Sequence, residues 1–290
     1  MSGWLDPVAV RRNADRASAG YDAAAVLQGR VREQMIARLD WIAFEPAVVV
    51  DLGCGTGHGA AAFCRRWPAA RVIAVDFAPG MLQETARRAE AARIERVCAD
   101  AATLPLPDAG VDLVFSCLML PACDAPDAVL AEIARVLRPR GLLSFSTFGP
   151  DTLAELRAAW RAADGHMHVH PFADMHDIGD GLVRAGLVEP VLDVSRYTLT
   201  YPDLRSLMRD LKAIGAQNAA TERTRGLTGR GRLQQVEAAY ESFRADGVLP
   251  ATYEVVFGQA WGAVESPEQP GDGEFAFPVS RLRRRGPEPA

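Results

Sequence analysis

The chain has 290 residues, of which 49% are hydrophobic and 24% charged, and its formal net charge at pH 7 is -5. A chain of this length and apolar content can bury a large core, which excludes disorder as a description of the whole and fits one sizeable domain with an insertion, or two small domains. The negative charge argues against a general nucleic-acid binder, and no apolar run reaches the ~18 residues that cross a bilayer.

The five cysteines contain no CxxC pair, and the first residues lack the apolar centre of a signal peptide. Three alternating histidines, His166, His168 and His170, lack a cysteine or clustered acid that would complete a metal site. We therefore expect a cytoplasmic protein with no metal, no nucleic-acid partner and no membrane contact.

Residues 1–43 predict a helical segment ahead of the first strand. Within it, four apolar residues recur near one face of a helix: Val26, Val31, Met35 and Leu39. We interpret this segment as an N-terminal helical lid.

Residues 44–265 alternate short apolar runs with amphipathic segments, which is typical of a parallel sheet with crossover helices. The predicted strands are AVVVDL, RVIAVD, RVCAD, VDLVFSCLML, GLLSFSTF, VEPVLDVSRYTLTY and ATYEVVFGQAWGAV. Helical patterns at about 202–247 predict a small insertion within this domain, and residues 266–290 predict a flexible tail.

The first predicted strand ends in Asp51 and leads into a glycine-rich stretch, DLGCGTG. Glycines let a ligand approach the backbone, and Gly55-x-Gly57-x-x-Ala60 also satisfies a dinucleotide fingerprint. An acid two residues before Gly53 would repel a pyrophosphate but favour a cation, such as the ammonium and sulfonium of S-adenosylmethionine. Two alternatives stay open: the ligand is NAD, or the glycines only permit a turn and the acids cap helices.

Asp51, Asp76 and Asp100 each follow one of the first three predicted strands, so they should meet in one crevice at the carboxyl edge of the sheet. Asp76 can accept hydrogen bonds from ribose hydroxyls, in NAD as well as in S-adenosylmethionine, and Asp100 can accept from an adenine amino group.

Together, the acids and the glycine loop resemble the class I S-adenosylmethionine-dependent methyltransferases. The resemblance implies an α/β, Rossmann-like three-layer sandwich with a mostly parallel seven-stranded sheet and an antiparallel last strand. We expect the methyl donor to contact Asp51, Gly53, Cys54, Gly55, Asp76, Phe77, Met81, Asp100, Ala101 and Cys117.

A closer resemblance rests on STFGPDTLAELRAAW, FADMHDIGDGLVRAGL, LTYPDLRSLMRDLKAIGAQN, RGLTGRGRL and YEVVFGQAW. With the opening RRNADRASAGYDAAAVLQ, these stretches resemble the malonyl-acyl-carrier-protein methyltransferase family of biotin synthesis, over roughly residues 10–261. The resemblance implies transfer of a methyl group from S-adenosylmethionine, leaving S-adenosylhomocysteine, to the free carboxylate of a malonyl group on acyl carrier protein or coenzyme A.

A malonyl carboxylate is ionised at neutral pH, since carboxylic acids titrate near ~4, so we expect no general base. Arg209 and Lys212, three residues apart on one predicted helix, are candidates to orient that carboxylate. Tyr21 is a candidate to close over the donor or to donate a hydrogen bond to the carboxylate, with Gln28 in support.

A basic patch that could attract the acidic carrier protein consists of Arg223, Arg225, Arg230 and Arg232. The alternative is that these charges are ordinary solvated side chains.

The chain departs from the family pattern near the end of the fourth predicted strand. Cys117 stands where relatives usually have Asn, Pro121 and Ala122 replace a Gln-Trp pair, and Ala14 lies near a usual aromatic position. Two alternatives follow: a methyltransferase for another small acceptor, or a non-catalytic assembly or regulatory protein with the same fold.

Overall fold

The computed structural model describes residues 4–223, 226 and 228–264. Seven strands lie within them: β1 (Val48–Leu52), β2 (Arg71–Asp76), β3 (Ile94–Cys98), β4 (Val111–Cys117), β5 (Leu137–Phe148), β6 (Leu187–Tyr201) and β7 (Leu249–Gly262). They form one sheet in the order β3-β2-β1-β4-β5-β7-β6. The predicted tail at 266–290 lies outside the described residues.

The strand directions match the expected architecture. β1 pairs in parallel with β2 and β4, β3 pairs in parallel with β2, and β5 pairs in parallel with β4. β7 runs antiparallel to both of its neighbours, β5 and β6. The prediction of a mostly parallel α/β sheet with an antiparallel last strand is therefore confirmed.

Helices cover both faces of the sheet. In the described residues they are α1 (Pro7–Ala17), α2 (Tyr21–Ala24), α3 (Val26–Arg38), α4 (His58–Arg66), α5 (Pro79–Thr85), α6 (Pro126–Val136), α7 (Ala154–Ala163), α8 (Met175–Arg184), α9 (Leu204–Ala213) and α10 (Arg230–Glu241). None of them is long and apolar enough to span a bilayer. α9 and α10 follow β6 and precede β7, within the range predicted as a helical insertion.

The core consists of two apolar clusters because successive side chains of a strand point to opposite faces. Val49 and Leu113 belong to one cluster, whereas their chain neighbours Val50 and Val114 belong to the other. Since both faces of these strands are covered, their sequences are continuously apolar rather than alternating.

The first helix is capped by its own N-terminal acid and is joined to the sheet domain by a hydrogen bond near its other end. Asp6 caps α1, its Oδ1 accepting the Ala9 N–H at 3.1 Å. Near the other end of α1, Asp15 Oδ1 accepts the N–H of Gly80, in the first turn of α5, at 2.8 Å. A Cβ at Gly80 would lie 2.7 Å from the Ser18 hydroxyl oxygen, so α5 needs a glycine where this segment packs against it.

Candidate active site

A glycine loop, residues 53–57, joins β1 to α4. Gly53 and Gly57 have φ values of 71° and 82°, in the left-handed region that favours glycine. A Cβ at Gly53 would lie 2.3 Å from Cγ of Met119. The Gly53 N–H donates to the Val75 carbonyl at 2.8 Å, which ties the loop to the end of β2. The loop therefore has both the shape and the close packing that require glycine.

The carboxylate of Asp51 is buried beneath the first turn of α4 and is only 3% exposed. Its Oδ2 accepts the Ala60 N–H, in the first turn of α4, at 2.7 Å. Asp51 therefore caps this helix, and a capping role does not exclude contact with a ligand. Burial raises the pKa of Asp51 to about 7, against the opposing hydrogen bond from Ala60 and the charge of Arg32. Because a carboxylate already occupies this helix N-terminus, the site disfavours the pyrophosphate of NAD and favours a cationic group.

Asp76 ends β2 and bonds to the backbone on both sides of the crevice. Its Oδ2 accepts the Gly55 N–H and its Oδ1 accepts the Ala78 N–H, each at 2.9 Å. Burial raises its pKa to about 6, against these two bonds. Phe77 follows half-buried, and Met81 lies buried in the first turn of α5. This arrangement places the predicted ribose acceptor beside apolar side chains.

The third acid lies at the outer end of the same row. Asp100 follows β3, is exposed, and accepts the Ala102 N–H at 2.9 Å. Ala101, next in the chain, is half-buried. Since β3, β2 and β1 are adjacent, the three acids occupy successive strand ends, as the sequence predicted.

A narrow cavity of about 40 Å³ lies between the glycine loop, the end of β4 and the N-terminal helices. The residues proposed from the sequence that line it are Tyr21, Gln28, Asp51, Gly53, Cys54, Gly55 and Cys117. Burial raises the pKa of Cys117 to about 12 and that of Cys54 well above its usual range, so both thiols are protonated at neutral pH. They act as small neutral walls of the cavity, not as nucleophiles.

The N-terminal helical segment, which the sequence predicts to be a lid, contacts the glycine loop through Asp22. Its carboxylate accepts hydrogen bonds from the Thr56 hydroxyl at 2.5 Å and from Arg88 Nη2 at 2.6 Å, and His58 Nε2 lies 3.2 Å away. Tyr21, one residue earlier, faces the cavity, and burial raises its pKa above the usual tyrosine range. Its phenol is therefore neutral and can donate a hydrogen bond.

A wider groove of about 480 Å³ opens on the other side of the lid, between α3 and β6. Tyr21, Arg32 and His58 line both the groove and the narrow cavity, so the two spaces meet at these side chains. Sequence reasoning missed Arg32. Its position four residues after Gln28, on the same side of α3, is the signal that could have identified it.

The two cations proposed to orient the acceptor lie elsewhere. Arg209 and Lys212 are solvent-exposed on α9, and neither lines the narrow cavity. Arg209 Nη2 donates to the Ser206 hydroxyl at 2.9 Å. The inner face of α9 borders a separate groove through Asp210 and Leu211, which also includes Gln28. The structure therefore brings α9 near the lid without bringing these two charges to Asp51.

The proposed basic patch is only partly free. Arg223 Nη2 donates to Asp6 Oδ2 at 3.0 Å, and Arg232 Nε lies 3.3 Å from Asp164 Oδ2. Arg230 is exposed at the start of α10, and Arg225 lies outside the described residues.

Taken together, the crevice at the ends of β1, β2 and β4, the glycine loop and the buried acids define a class I S-adenosylmethionine-dependent methyltransferase. Residues 49–141 match the family described as a methyltransferase domain. The fold is similar to that of a solved protein from Bacillus halodurans, with a TM-score of 0.57 at 20% identity, over 80% of this chain and 100% of that one.

Similarity to curated proteins extends over most of the chain. It is 55% identical to the malonyl-[acyl-carrier protein] O-methyltransferase of Methylovorus sp. (strain MP688) over 89% of each chain. It is 51% identical to the protein of the same name from Laribacter hongkongensis, over 92% of this chain and 93% of that one. The chain belongs to the malonyl-[acyl-carrier protein] O-methyltransferase family, which confirms the resemblance noted from its motifs.

Proposed function

We propose that this protein transfers the methyl group of S-adenosylmethionine to the free carboxylate of a malonyl group carried on acyl carrier protein, as an early step of biotin synthesis. The observation that carries the proposal is the identity of 55% to a relative of that name over 89% of both chains. The buried acids and glycine loop support the donor, and the family supports the acceptor.

The main task of the protein in this reaction is to position the acceptor carboxylate against the methyl group of the donor. An ionised carboxylate is already a nucleophile, so the protein must bring one oxygen in line with the methyl group and keep water away. The narrow cavity between the lid and the glycine loop suits that task because it combines loop backbone, thiols and a neutral phenol with the charged groups of Asp51 and Arg32. We assign Tyr21 to hold the reacting groups, with Gln28 beside it, and residues 1–43 to act as the lid.

Asp51 would accept the ammonium of the donor and Asp76 its ribose hydroxyls, with Phe77, Met81, Asp100 and Ala101 around the adenine. Asp76 already accepts two backbone N–H groups, so its orientation is fixed before a ligand arrives. Such preorganisation favours binding because fewer groups must be ordered.

We further propose that the carrier protein docks beside the insertion of residues 202–247. Arg230, Arg209 and Lys212 are exposed there, on α10 and α9. Exposed cations of this kind attract an acidic partner and chiefly raise its association rate. Arg223 and Arg232 contribute less because acids already neutralise them.

The departures at Cys117, Pro121 and Ala122 are the basis of the alternative function, methylation of another small-molecule acceptor. Cys117 lines the donor cavity, at the position where the family resemblance implies an Asn. The proposed function predicts that this substitution leaves the acceptor unchanged.

The test is incubation of the full chain with methyl-labelled S-adenosylmethionine and malonyl carrier protein, malonyl coenzyme A or free malonate, followed by mass measurement. Gain of one methyl group on the malonyl carrier protein, and none on acetyl carrier protein, supports the proposal. Donor binding with no transfer to any malonyl compound contradicts it. A Lys212→Ala, Arg209→Ala double variant separates the two roles: loss of an orienting role raises the KM for malonyl coenzyme A as well as for malonyl carrier protein, whereas loss of docking raises only the KM for the carrier protein.

A further inference from the structure

Arg32 lies where the narrow cavity meets the wider groove, and it borders both spaces. It is half-buried on α3, one turn after Gln28. Among the residues that the structure describes, no hydrogen bond or ion pair involves its guanidinium, whereas Arg38 of the same helix pairs with Asp193. A half-buried cation without an anionic partner is unusual, because burial removes part of the water that stabilises the charge and nothing replaces it.

The charge of Arg32 shifts the pKa values of titratable groups around the cavity. It opposes the effect of burial on the pKa values of Asp51, Tyr21 and Cys117, and it adds to burial in lowering the pKa of His58. Its Nη2 also lies 3.7 Å from the point that a Cβ of Gly29 would occupy. The guanidinium therefore points back toward the N-terminal end of α3, on the side of the helix that borders the cavity, as helical side chains do.

We propose that Arg32 is a carboxylate-binding residue of the active site, with its guanidinium presented to the junction of cavity and groove. A guanidinium matches a carboxylate in shape and can donate two parallel hydrogen bonds to it, which fixes both distance and angle. Arg32 lines the cavity beside the acids and the glycine loop, whereas Arg209 and Lys212 do not line it.

Two carboxylates are chemically eligible, and this part of the inference rests on the proposed function. One is the amino-acid carboxylate of the methyl donor, whose ammonium we assign to Asp51. The other is the free carboxylate of the malonyl acceptor, which would enter through the groove. Both require the same contact, so binding and transfer measurements are needed to separate them.

The first experiment measures binding by calorimetry, without any turnover. Arg32→Gln is compared with the wild type and with Arg11→Gln, an exposed arginine of α1 that lines neither space. The ligands are S-adenosylhomocysteine and its analogue without the carboxylate. A loss of at least about tenfold for S-adenosylhomocysteine, but not for the analogue, identifies the donor carboxylate as the partner.

The second experiment measures methyl transfer to malonyl carrier protein. If Arg32 holds the acceptor, Arg32→Gln leaves S-adenosylhomocysteine affinity unchanged and raises the KM for the malonyl substrate by at least about tenfold. Arg32→Lys keeps the charge but loses the paired geometry, so it should fall between the wild type and Arg32→Gln in whichever measurement responds.

The inference is overturned if Arg32→Gln stays within twofold of the wild type both for S-adenosylhomocysteine affinity and for the malonyl KM. If the wild type transfers no methyl group to malonyl carrier protein, the proposed function is refuted but the inference about Arg32 is not. The calorimetry with S-adenosylhomocysteine then tests the role of Arg32 independently of the acceptor. Thermal unfolding of each variant checks the fold, and Arg32→Lys gives the same tests if Arg32→Gln does not fold.

Discussion

Asp51 illustrates how one residue serves both the fold and the site. Its carboxylate caps α4 through Ala60, yet it is buried so deeply that its pKa rises to about 7. The sequence predicted an acid at this strand end and a ligand with positive charge. It could not predict the burial, which comes from the packing of Gly59 against the carboxylate; a Cβ there would lie 2.6 Å from Oδ2.

Replacing this acid should separate stability from function. A carboxyl group whose pKa is higher in the folded chain than the usual ~3.9 loses stability as the pH rises from about 4 to about 7. Asp51→Asn removes that loss, so at about pH 8 the free energy of unfolding should rise by up to about 4 kcal/mol, which is roughly three pKa units at about 1.4 kcal/mol each. Denaturant unfolding of the wild type and the variant at about pH 5 and about pH 8 checks this; a variant that is less stable than the wild type at about pH 8 contradicts it.

The same variant should lose the donor. Without the carboxylate the ammonium of S-adenosylhomocysteine has no anionic partner, and we expect its affinity to fall by about tenfold or more. In the wild type, affinity should increase by roughly tenfold from about pH 5.5 to about pH 7.5, as Asp51 ionises. Calorimetry across this range is the measurement. A pH dependence that persists in Asp51→Asn assigns it to another group.

At the scale of elements, the lid differs most from its prediction. The sequence favoured one amphipathic helix with Val26, Val31, Met35 and Leu39 on its buried face. Instead the helix breaks at Ala25, between α2 and α3, so Val26 is 66% exposed while Val31, Met35 and Leu39 are buried. The break turns Tyr21 and Asp22 toward the glycine loop. Such a kink depends on contacts between segments that are distant in the sequence, and the spacing of apolar residues along one helix carries no information about those contacts.

The contact of Asp22 with the loop should control how long the donor stays. Ligand sites usually enclose ~300 Å³ or more, and the cavity under the lid is far smaller, so we expect α2 to move when the donor enters or leaves. Asp22→Asn weakens the bonds from Arg88 and His58, and should raise the dissociation rate of S-adenosylhomocysteine by roughly threefold to tenfold.

Stopped-flow displacement measures that rate. The matched control is Asp40→Asn, an exposed acid after α3 that pairs with Arg66 and touches neither the loop nor the cavity. Equal dissociation rates for the wild type and both variants would show that Asp22 does not hold the lid.

At the scale of the whole molecule, alternating apolar runs predicted the parallel strands and the row of acids at their carboxyl edge, whereas the antiparallel last strand came from the resemblance to the class I methyltransferases. The two glycines and two cysteines predicted near Asp51 also meet in one cavity. Arg32 was missed, and Arg209 and Lys212 lie outside that cavity, because the docking of the lid and the insertion onto the sheet is a tertiary event. Charge and helical spacing identify exposed cations but not the space that they face.

Recognition of a carrier protein is a property of the whole surface. Arg230→Glu should raise the KM for malonyl carrier protein severalfold and leave the KM for malonyl coenzyme A within twofold, because only the protein partner presents an extended acidic surface. The effect should shrink with added salt. Arg140→Glu, an exposed arginine near the start of β5 and so at the opposite end of that strand from the cavity, is the control. Equal changes with both substrates would place the docking surface elsewhere.

The most direct test is a crystal structure of the chain with S-adenosylhomocysteine. We predict the ammonium beside Asp51, the ribose hydroxyls on Asp76, and the homocysteine sulfur facing Tyr21 where the cavity joins the groove. A ligand bound outside the crevice, or one whose ammonium lies far from Asp51, would contradict the proposal that buried strand-end acids hold the methyl donor.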